Sequence, residues 1–406
     1  MRIALIVPEF PPATVGGGGV VFKALAEEYA LRHEVLVLTA DYSLKGWRIA
    51  PIREAPGEFS LIRYPLIPVF KRQTSLRTVL PPRPSAVLTL RNDLRKFRPH
   101  VAHLHGFGYS FVDVSARLLC REHVPFVFTN HGYPATQRSA PAPVRLAYRI
   151  FEACGPARTE KHAQMSTVVS GLMSGPVRSG RPAPQVVENA LTPLPPPSTQ
   201  DALALRRRLR LGPAPIVSAA GRLSHTKGFD VLLQAIEQCD LPHVQCVIAG
   251  DDNGSEDELR RQAQGMRSGV RVLFPGRLGR AELGALFTLS DVVVVPSRAE
   301  PFGLVALEAL GLGRRVITSA VGQLPALSAP PLGRAVPPED PSALATEIAC
   351  AIRRGPRSPS EEAQMRHVLA AYQWGPVAKQ YEALLSEALQ LSSGRSRRTG
   401  GGRIDR

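Results

Sequence analysis

Short unbroken apolar runs recur along this chain, each closed by a Gly, Pro or polar loop and followed by a stretch with helical spacing. Residues 3–7 (Ile-Ala-Leu-Ile-Val) stop at Pro8, residues 20–31 carry apolar side chains at helical intervals, and residues 35–38 (Val-Leu-Val-Leu) form the next run. Residues 101–104 and 125–129 repeat the pattern. A strand that is apolar at every position must be buried on both faces, as a parallel strand covered by helices is. Strands alternating with helices therefore predict a doubly wound parallel sheet. The pattern breaks at Pro193-Leu194-Pro195-Pro196-Pro197-Ser198, which reads as a linker or boundary because successive prolines continue neither a helix nor a central strand. It then restarts, with strands at 216–219, 244–249, 270–274, 292–295 and 316–319 and helices at 229–238, 280–288 and 303–312. Two α/β domains are predicted, 1–192 and 200–372. Beyond 357 the pattern turns helical over 360–372 and 375–391, with Trp374 at the join. A closing helix is placed at 373–391, and the Gly/Ser/Arg-rich residues 392–406 are read as a disordered basic tail.

A chain of 406 residues has length enough for two cores. With 44% hydrophobic and 21% charged residues it is neither disordered nor collagenous. The net charge of +16 is uneven: residues 1–190 carry 24 basic and 13 acidic groups, residues 191–389 carry 21 and 20. A basic half suits an anionic partner such as acidic lipid headgroups, a phosphorylated acceptor or nucleic acid, and equally suits a plain soluble surface. Aromatics are only 6% and no nucleic-acid motif occurs, so no nucleic acid is expected. Cysteines 120, 154, 239, 246 and 350 make an odd set without C-x-x-C, which fits a reducing cytoplasm. The first apolar run is too short for a signal peptide, and no run approaches the ~20 residues of a membrane span. A cytoplasmic protein is expected, with peripheral contact at the inner membrane face as a further reading.

Ligands of such sheets gather at the C-terminal ends of strands, so the loops there are the candidate sites. After the first strand comes Gly16-Gly17-Gly18-Gly19, whose amides precede a helix and suit an anion, although the spacing is not G-x-G-x-x-G. Thr129-Asn130-His131-Gly132 places a histidine at a strand end, and His103-Leu104-His105 puts two imidazoles on one strand face without an apparent third metal ligand. In Gly221-Arg222-Leu223-Ser224-His225-Thr226-Lys227-Gly228-Phe229-Asp230, Arg222 and Lys227 are spaced to neutralise a diphosphate. Glu300-Pro301-Phe302-Gly303-Leu304-Val305-Ala306-Leu307-Glu308 follows an apolar strand. Its amides at 302–304 suit an anion, and Glu308, buried against the sheet, would need a hydrogen-bond partner. The alternative reading makes Arg222 and Lys227 solvated cations and Glu308 an exposed helix residue.

Together these four segments resemble glycosyltransferase family 4, over residues 8 to about 381. E-P-F-G-L-V-A-L-E is similar to the family's E-x7-E, and G-R-L-S-H-T-K-G-F-D to its G-R-L-x(n)-K-G-x-D. The resemblance implies the GT-B fold, two facing Rossmann-like domains with a C-terminal helix returning to the N-terminal one. It also implies a retaining front-face transfer of a hexose from a nucleotide-diphosphate sugar, UDP- or GDP-linked. On that reading Arg222 and Lys227 bind the diphosphate with amides near Phe302, Gly303 and Leu304. Glu300 contacts the sugar, Glu308 holds the ribose, and His131 contacts the sugar from the other domain. The Gly16–Gly19 loop lines the junction of donor and acceptor. No cofactor and no metal is expected, since Asp251-Asp252 lacks D-x-D spacing. The acceptor is a saccharide, a lipid-linked saccharide or a small metabolite.

The chain departs from the family pattern at Asn189-Ala190, Gly322-Gln323, Ala326 and Gly313-Arg314-Arg315, which bears on sugar and base preference. Residues 88–97 form an amphipathic stretch among Arg91, Arg95 and Lys96 that suits an anionic membrane surface, or equally a plain surface helix packed on its own domain. A nucleotide-sugar hydrolase, epimerase or phosphorylase on the same fold, and a non-catalytic polyanion binder, are the other readings.

Overall fold

The computed structural model describes residues 1–12, 17–41, 50–67, 81–132, 150–151, 153–171, 183–267 and 269–399. They divide into two compact units, Met1–Ala190 with Trp374–Arg406, and Leu191–Gln373.

The first unit runs β1 (Arg2–Val7), α1 (Gly18–Ala30), β2 (Glu34–Asp41), β3 (Ile52–Glu54), β4 (Ser60–Pro65), α2 (Pro84–Phe97) and β5 (Val101–His105). It continues α3 (Ser110–Arg121), β6 (Phe126–Asn130), α4 (Pro156–His162), β7 (Met165–Val168) and β8 (Gln185–Val186). The sheet order is β3-β4-β2-β1-β5-β6-β7-β8. Every pairing is parallel except that of β3 with β4. β1 lies in the middle, with Ile3 opposite both Val35 and Val101. Ile3, Ala4, Leu5, Ile6 and Val7 are all fully buried, as an all-apolar central strand requires. Leu90 and Leu94 of α2 and Phe111, Val112 and Leu119 of α3 cover one face.

The second unit runs α5 (Thr199–Arg208), β9 (Ile216–Ala220), a single 3-10 turn (His225–Lys227), α6 (Phe229–Gln238), β10 (Val244–Ala249), α7 (Glu256–Gln264) and β11 (Val270–Leu273). Next come α8 (Arg280–Leu289), β12 (Val292–Val295), α9 (Leu304–Gly311), β13 (Arg315–Ser319), α10 (Leu324–Leu327), β14 (Gly333–Val336), α11 (Pro341–Arg354) and α12 (Pro359–Leu369). Its sheet, β11-β10-β9-β12-β13-β14, is wholly parallel. Leu232, Leu233 and Ile236 of α6 and Leu344 and Ile348 of α11 share one core with β9, β10 and β12.

Two expectations about the joins need correction. The proline run is no free linker: Leu194 is buried, and Arg280 donates from Nη2 to the carbonyls of Thr192 (2.8 Å) and Pro193 (3.0 Å). A Cβ at Gly284 of α8 would stand 2.8 Å from the Pro195 oxygen, so the run lies directly on that helix. The second unit thus begins at Leu191. The last helix, α13, spans Trp374–Thr399, so residues 392–399 are helical rather than disordered. Val377, Ala378, Tyr381, Leu385 and Ala388 bury one stripe of it in the first unit, and a helix already nucleated propagates at little cost. No helix among the described residues is long and apolar enough to cross a membrane.

Candidate active site

Open α/β sheets bind ligands where the strand order reverses, beyond the carboxyl ends of the strands. In the second sheet the order reverses between β9 and β12, and in the first between β1 and β5. Each segment singled out in the sequence leaves a strand at or beside one of these points.

Beyond β9, Gly221 (φ +150°) donates to the Ala249 carbonyl at 2.9 Å, and the His225–Lys227 turn closes at Gly228 (φ +64°). A Cβ there would lie 2.0 Å from the carbonyl oxygen of Pro296, just past β12, so only glycine lets these two loops meet. Arg298 fastens them together. Its amide donates to the Thr226 carbonyl at 2.8 Å, and its guanidinium forks onto Asp230 at 2.8 and 2.7 Å while reaching Glu339 and the His225 carbonyl, both at 2.8 Å. Burial opposes the charge on Asp230, yet the Arg298 hydrogen bonds and charge bring its carboxyl below the ordinary range. The outcome is an ion pair across the switch point: Lys227 Nζ lies 2.5 Å from Glu300 Oε2, with Ser297 Oγ 3.5 Å from the same oxygen. Arg222 is exposed and has no ion-pair partner among the described residues.

Past β12, Gly303 (φ +104°) caps α9, and a Cβ on it would stand 2.4 Å from Leu324 Cδ2. The amides of the first turn lack intrahelical acceptors, as in any helix. The Phe302 ring is buried, edge-on to Tyr372 at 6.3 Å, so this residue has only backbone to offer a ligand. Glu308 is not an exposed helix residue. It is mostly covered on α9, its side chain 12% exposed, and its Oε1 accepts from Arg280 Nη1 of α8 at 2.7 Å. Burial raises its carboxyl above the ordinary value, and Arg280 partly offsets this. The partner the sequence reading required is therefore already present in the protein, on a helix that reading did not connect to the site.

Among the departures from the family pattern, Gln323 sits in ordinary right-handed backbone and has no need of glycine. Gly322 (φ +53°) does, since a Cβ on it would lie 1.7 Å from the Glu300 carbonyl oxygen. Ala326 is exposed on α10. Arg314 donates to the carbonyls of Leu312 (3.2 Å) and Thr288 (3.1 Å), and Arg315 to that of Gly355 (2.9 Å). Asn189 and Ala190 are buried. Asp252 Oδ1 caps the approach to α7 by accepting from the amides of Gly254, Ser255 and Glu256. No cluster with metal-ligand geometry occurs among the described residues.

In the first unit Gly16 lies outside the described residues, and Gly17 precedes α1. The amide of Gly19 donates to Glu9 Oε1 at 3.0 Å, in a buried position. The anion at this helix start is therefore the protein's own carboxylate. Arg63, buried against Glu54, donates to the carbonyls of Phe10 (2.8 Å) and Pro11 and so braces the same loop.

His131 follows β6 and is partly exposed. It is not a lone histidine. Its Nε2 lies 2.7 Å from His105 Nδ1, and His105 Nε2 lies 3.2 Å from His103 Nδ1. The two segments read separately in the sequence thus form one row of three imidazoles, two of them fully buried, because β5 and β6 are adjacent parallel strands. Burial depresses all three rings, His103 to about 3 and His131 to about 4, so they are neutral at pH 7.

Residues 204–368 match the family model described as glycosyl transferases group 1, and residues 15–171 that described as glycosyltransferase family 4. The fold is that of a GT-B glycosyltransferase. An uncharacterized glycosyltransferase of Methanocaldococcus jannaschii is 26% identical over 351 residues, 80% of this chain and 82% of its own. Sucrose-phosphate synthase of Thermosynechococcus elongatus superposes with a TM-score of 0.73 at 26% identity, over 96% of this chain and 99% of that one. Anabaena HepE in complex with UDP-glucose superposes at 0.69 and 20% identity, over 95% and 100%. The chain belongs to glycosyltransferase family 4.

Proposed function

We propose that the chain transfers a hexose, with retention of configuration, from a nucleotide-diphosphate sugar held by the second unit to a hydroxyl of a saccharide or lipid-linked acceptor. The observation that carries this reading is the Lys227–Glu300 pair at the β9/β12 switch point, with Arg222, which has no ion-pair partner among the described residues, on the same loop and mostly covered Glu308 on the helix that follows. Two cations beside free helix-start amides suit a diphosphate. Stabilising the negative charge on the leaving diphosphate is the main demand of such a transfer, and Lys227 and Arg222 answer it without a metal. Glu300, held beside Lys227, faces the sugar, and Glu308 takes the ribose hydroxyls. HepE is solved with UDP-glucose and starch synthase IV of Arabidopsis thaliana with ADP, which supports a nucleotide-sugar donor here without selecting its base.

Titration with UDP, GDP, ADP and their hexose conjugates tests the donor. One nucleoside diphosphate at ~100 times its dissociation constant is expected to stabilise the protein by ~2.7 kcal/mol. No response to any of them overturns the reading. Product analysis separates transfer from hydrolysis, epimerisation or phosphorolysis, and the anomeric configuration of the product tests retention. Full activity in excess chelator is expected, and its loss would refute metal independence. Membrane contact through α2 is the weaker part: Arg91 and Arg95 both pair with Glu122, at 2.7 and 2.9 Å.

A further inference from the structure

We propose that Arg298 is a positioning residue for the donor diphosphate: it keeps Asp230 off Lys227 and fixes the backbone around Lys227, so that the ammonium faces Glu300 and the ligand. The ligand part rests on the transferase reading above; the Lys227 part does not.

A lysine ammonium rides on a flexible four-carbon stem, and the stem itself selects no partner. The carboxylate nearest to Lys227 along the chain is not Glu300 but Asp230, three residues on, in the first turn of α6. A carboxylate three or four residues from a lysine on helical backbone is its usual local partner. Lys227 Nζ instead pairs at 2.5 Å with Glu300, from the loop past β12. Arg298, two residues before Glu300, accounts for that choice. Its Nη1 and Nη2 donate to Oδ1 and Oδ2 of Asp230 at 2.8 and 2.7 Å, so both oxygens already face a guanidinium. A planar guanidinium holds a carboxylate at two points in this way, and an ammonium cannot displace it with one.

Arg298 also fixes the point from which the Lys227 side chain starts. The 3-10 turn His225–Lys227 contains no buried residue, so packing does not hold it. The Arg298 amide donates to the Thr226 carbonyl and its Nη1 to the His225 carbonyl, both at 2.8 Å. The two residues before Lys227 thus hang from the loop that carries Glu300, and Asp230 ties the chain after it to the same guanidinium. The Arg298 side chain is only 18% exposed, so its pair with Asp230 is screened less than a surface pair. Glu339, 64% exposed, meets Nε at 2.8 Å as an outer contact of smaller weight. Arg298 belongs to neither of the two motif segments, and it acts on the diphosphate only through Lys227.

The first test is a double-variant cycle on affinity, by calorimetric titration of the full chain with whichever of UDP, GDP and ADP binds the wild type. Arg298→Ala is expected to weaken binding about ten-fold, but only about two-fold or less when Lys227 is already alanine. Arg298→Lys keeps the charge beside Asp230 without the fork, and its loss is expected to be smaller than that of Arg298→Ala. Equal losses from Arg298→Ala with and without Lys227 mean that Arg298 only supports the fold, and overturn the proposal. The second test needs neither a nucleotide nor the alanine variant. It is side-chain ammonium 1H–15N correlation on the full chain labelled with 15N-lysine, the Lys227 signal being identified by its loss in Lys227→Arg. That signal is expected in the wild type, and is expected to be shifted or lost both in Glu300→Gln and in Arg298→Lys. A Lys227 signal indifferent to Arg298→Lys overturns the proposal. If the wild-type chain binds no nucleoside diphosphate, the transferase reading fails, while the ammonium signal still decides what Arg298 does to Lys227.

Discussion

Lys227 and Glu300 neutralise each other at 2.5 Å, and both are only partly exposed. On the proposed reading, a diphosphate entering the β9 loop would compete for Lys227 and so free Glu300 for a sugar hydroxyl. Lys227→Ala is expected to lower kcat about 100-fold, because its charge matters most as negative charge develops on the leaving group. Turnover within about three-fold of wild type would refute that assignment. Glu308 and Arg280 form the second pair, and breaking it leaves a buried carboxylate uncompensated. Arg280→Ala and Glu308→Ala are each expected to weaken nucleoside diphosphate affinity about ten-fold by calorimetric titration. Wild-type affinity in the Arg280 variant would mean that the arginine only braces the 192–193 carbonyls. The E-x7-E spacing made Glu300 and Glu308 legible in the sequence. Arg280 was not, because it reaches Glu308 from another helix, and no local spacing encodes that.

At the scale of elements, the loops past β9 and β12 are welded at a single glycine. Gly228 and Gly313 both have positive φ (+64° and +77°), but a Cβ on Gly228 strikes the Pro296 carbonyl, whereas one on Gly313 meets nothing within 4 Å. Gly313→Ala is thus expected to cost only the backbone strain, about 1 kcal/mol, while Gly228→Ala costs more and displaces Lys227 as well. Thermal unfolding and turnover of the two variants check this, and equal unfolding temperatures would refute the weld. Unbroken apolar runs located β1, β5, β6, β9, β10, β12 and β13 within a residue or so, but β2 runs three residues past its predicted end, and the interior strands β4 and β7, interrupted by Arg63 and by Ser166-Thr167, went unread. The edge elements β3, β8 and β14 are short or half-exposed and carry no such run. The proline run did mark the boundary between the units, but its composition shows only what it cannot form, not that α8 offers it a surface at Gly284.

At the scale of the whole molecule, buried neutral groups link stability to pH. His103, His105 and His131 have folded values well below the ordinary 6.5, from burial. Between about pH 4 and 6.5 the unfolded chain binds protons there that the folded chain does not, so stability falls as pH falls. Asp113, raised by burial to about 6, works the other way between about pH 4 and 6, and Glu308, also raised, acts with the same sign. With three rings against two carboxyls, the unfolding temperature is expected to be lower at pH 5 than at pH 7. That difference should shrink in His103→Phe, and a flat profile in the wild-type chain would refute the link. The sequence by itself determined the two α/β sheets, their central strands and the two segments carrying Lys227 and Glu300, since these follow from unbroken apolar runs and from motifs local in the chain. Only the tertiary structure decided that Arg280 neutralises Glu308, that Glu9 occupies the start of α1, and that His131 ends a row of three imidazoles. Each of these depends on which strands and helices become neighbours, and the energy of a buried charge or proton is set by neighbours in space.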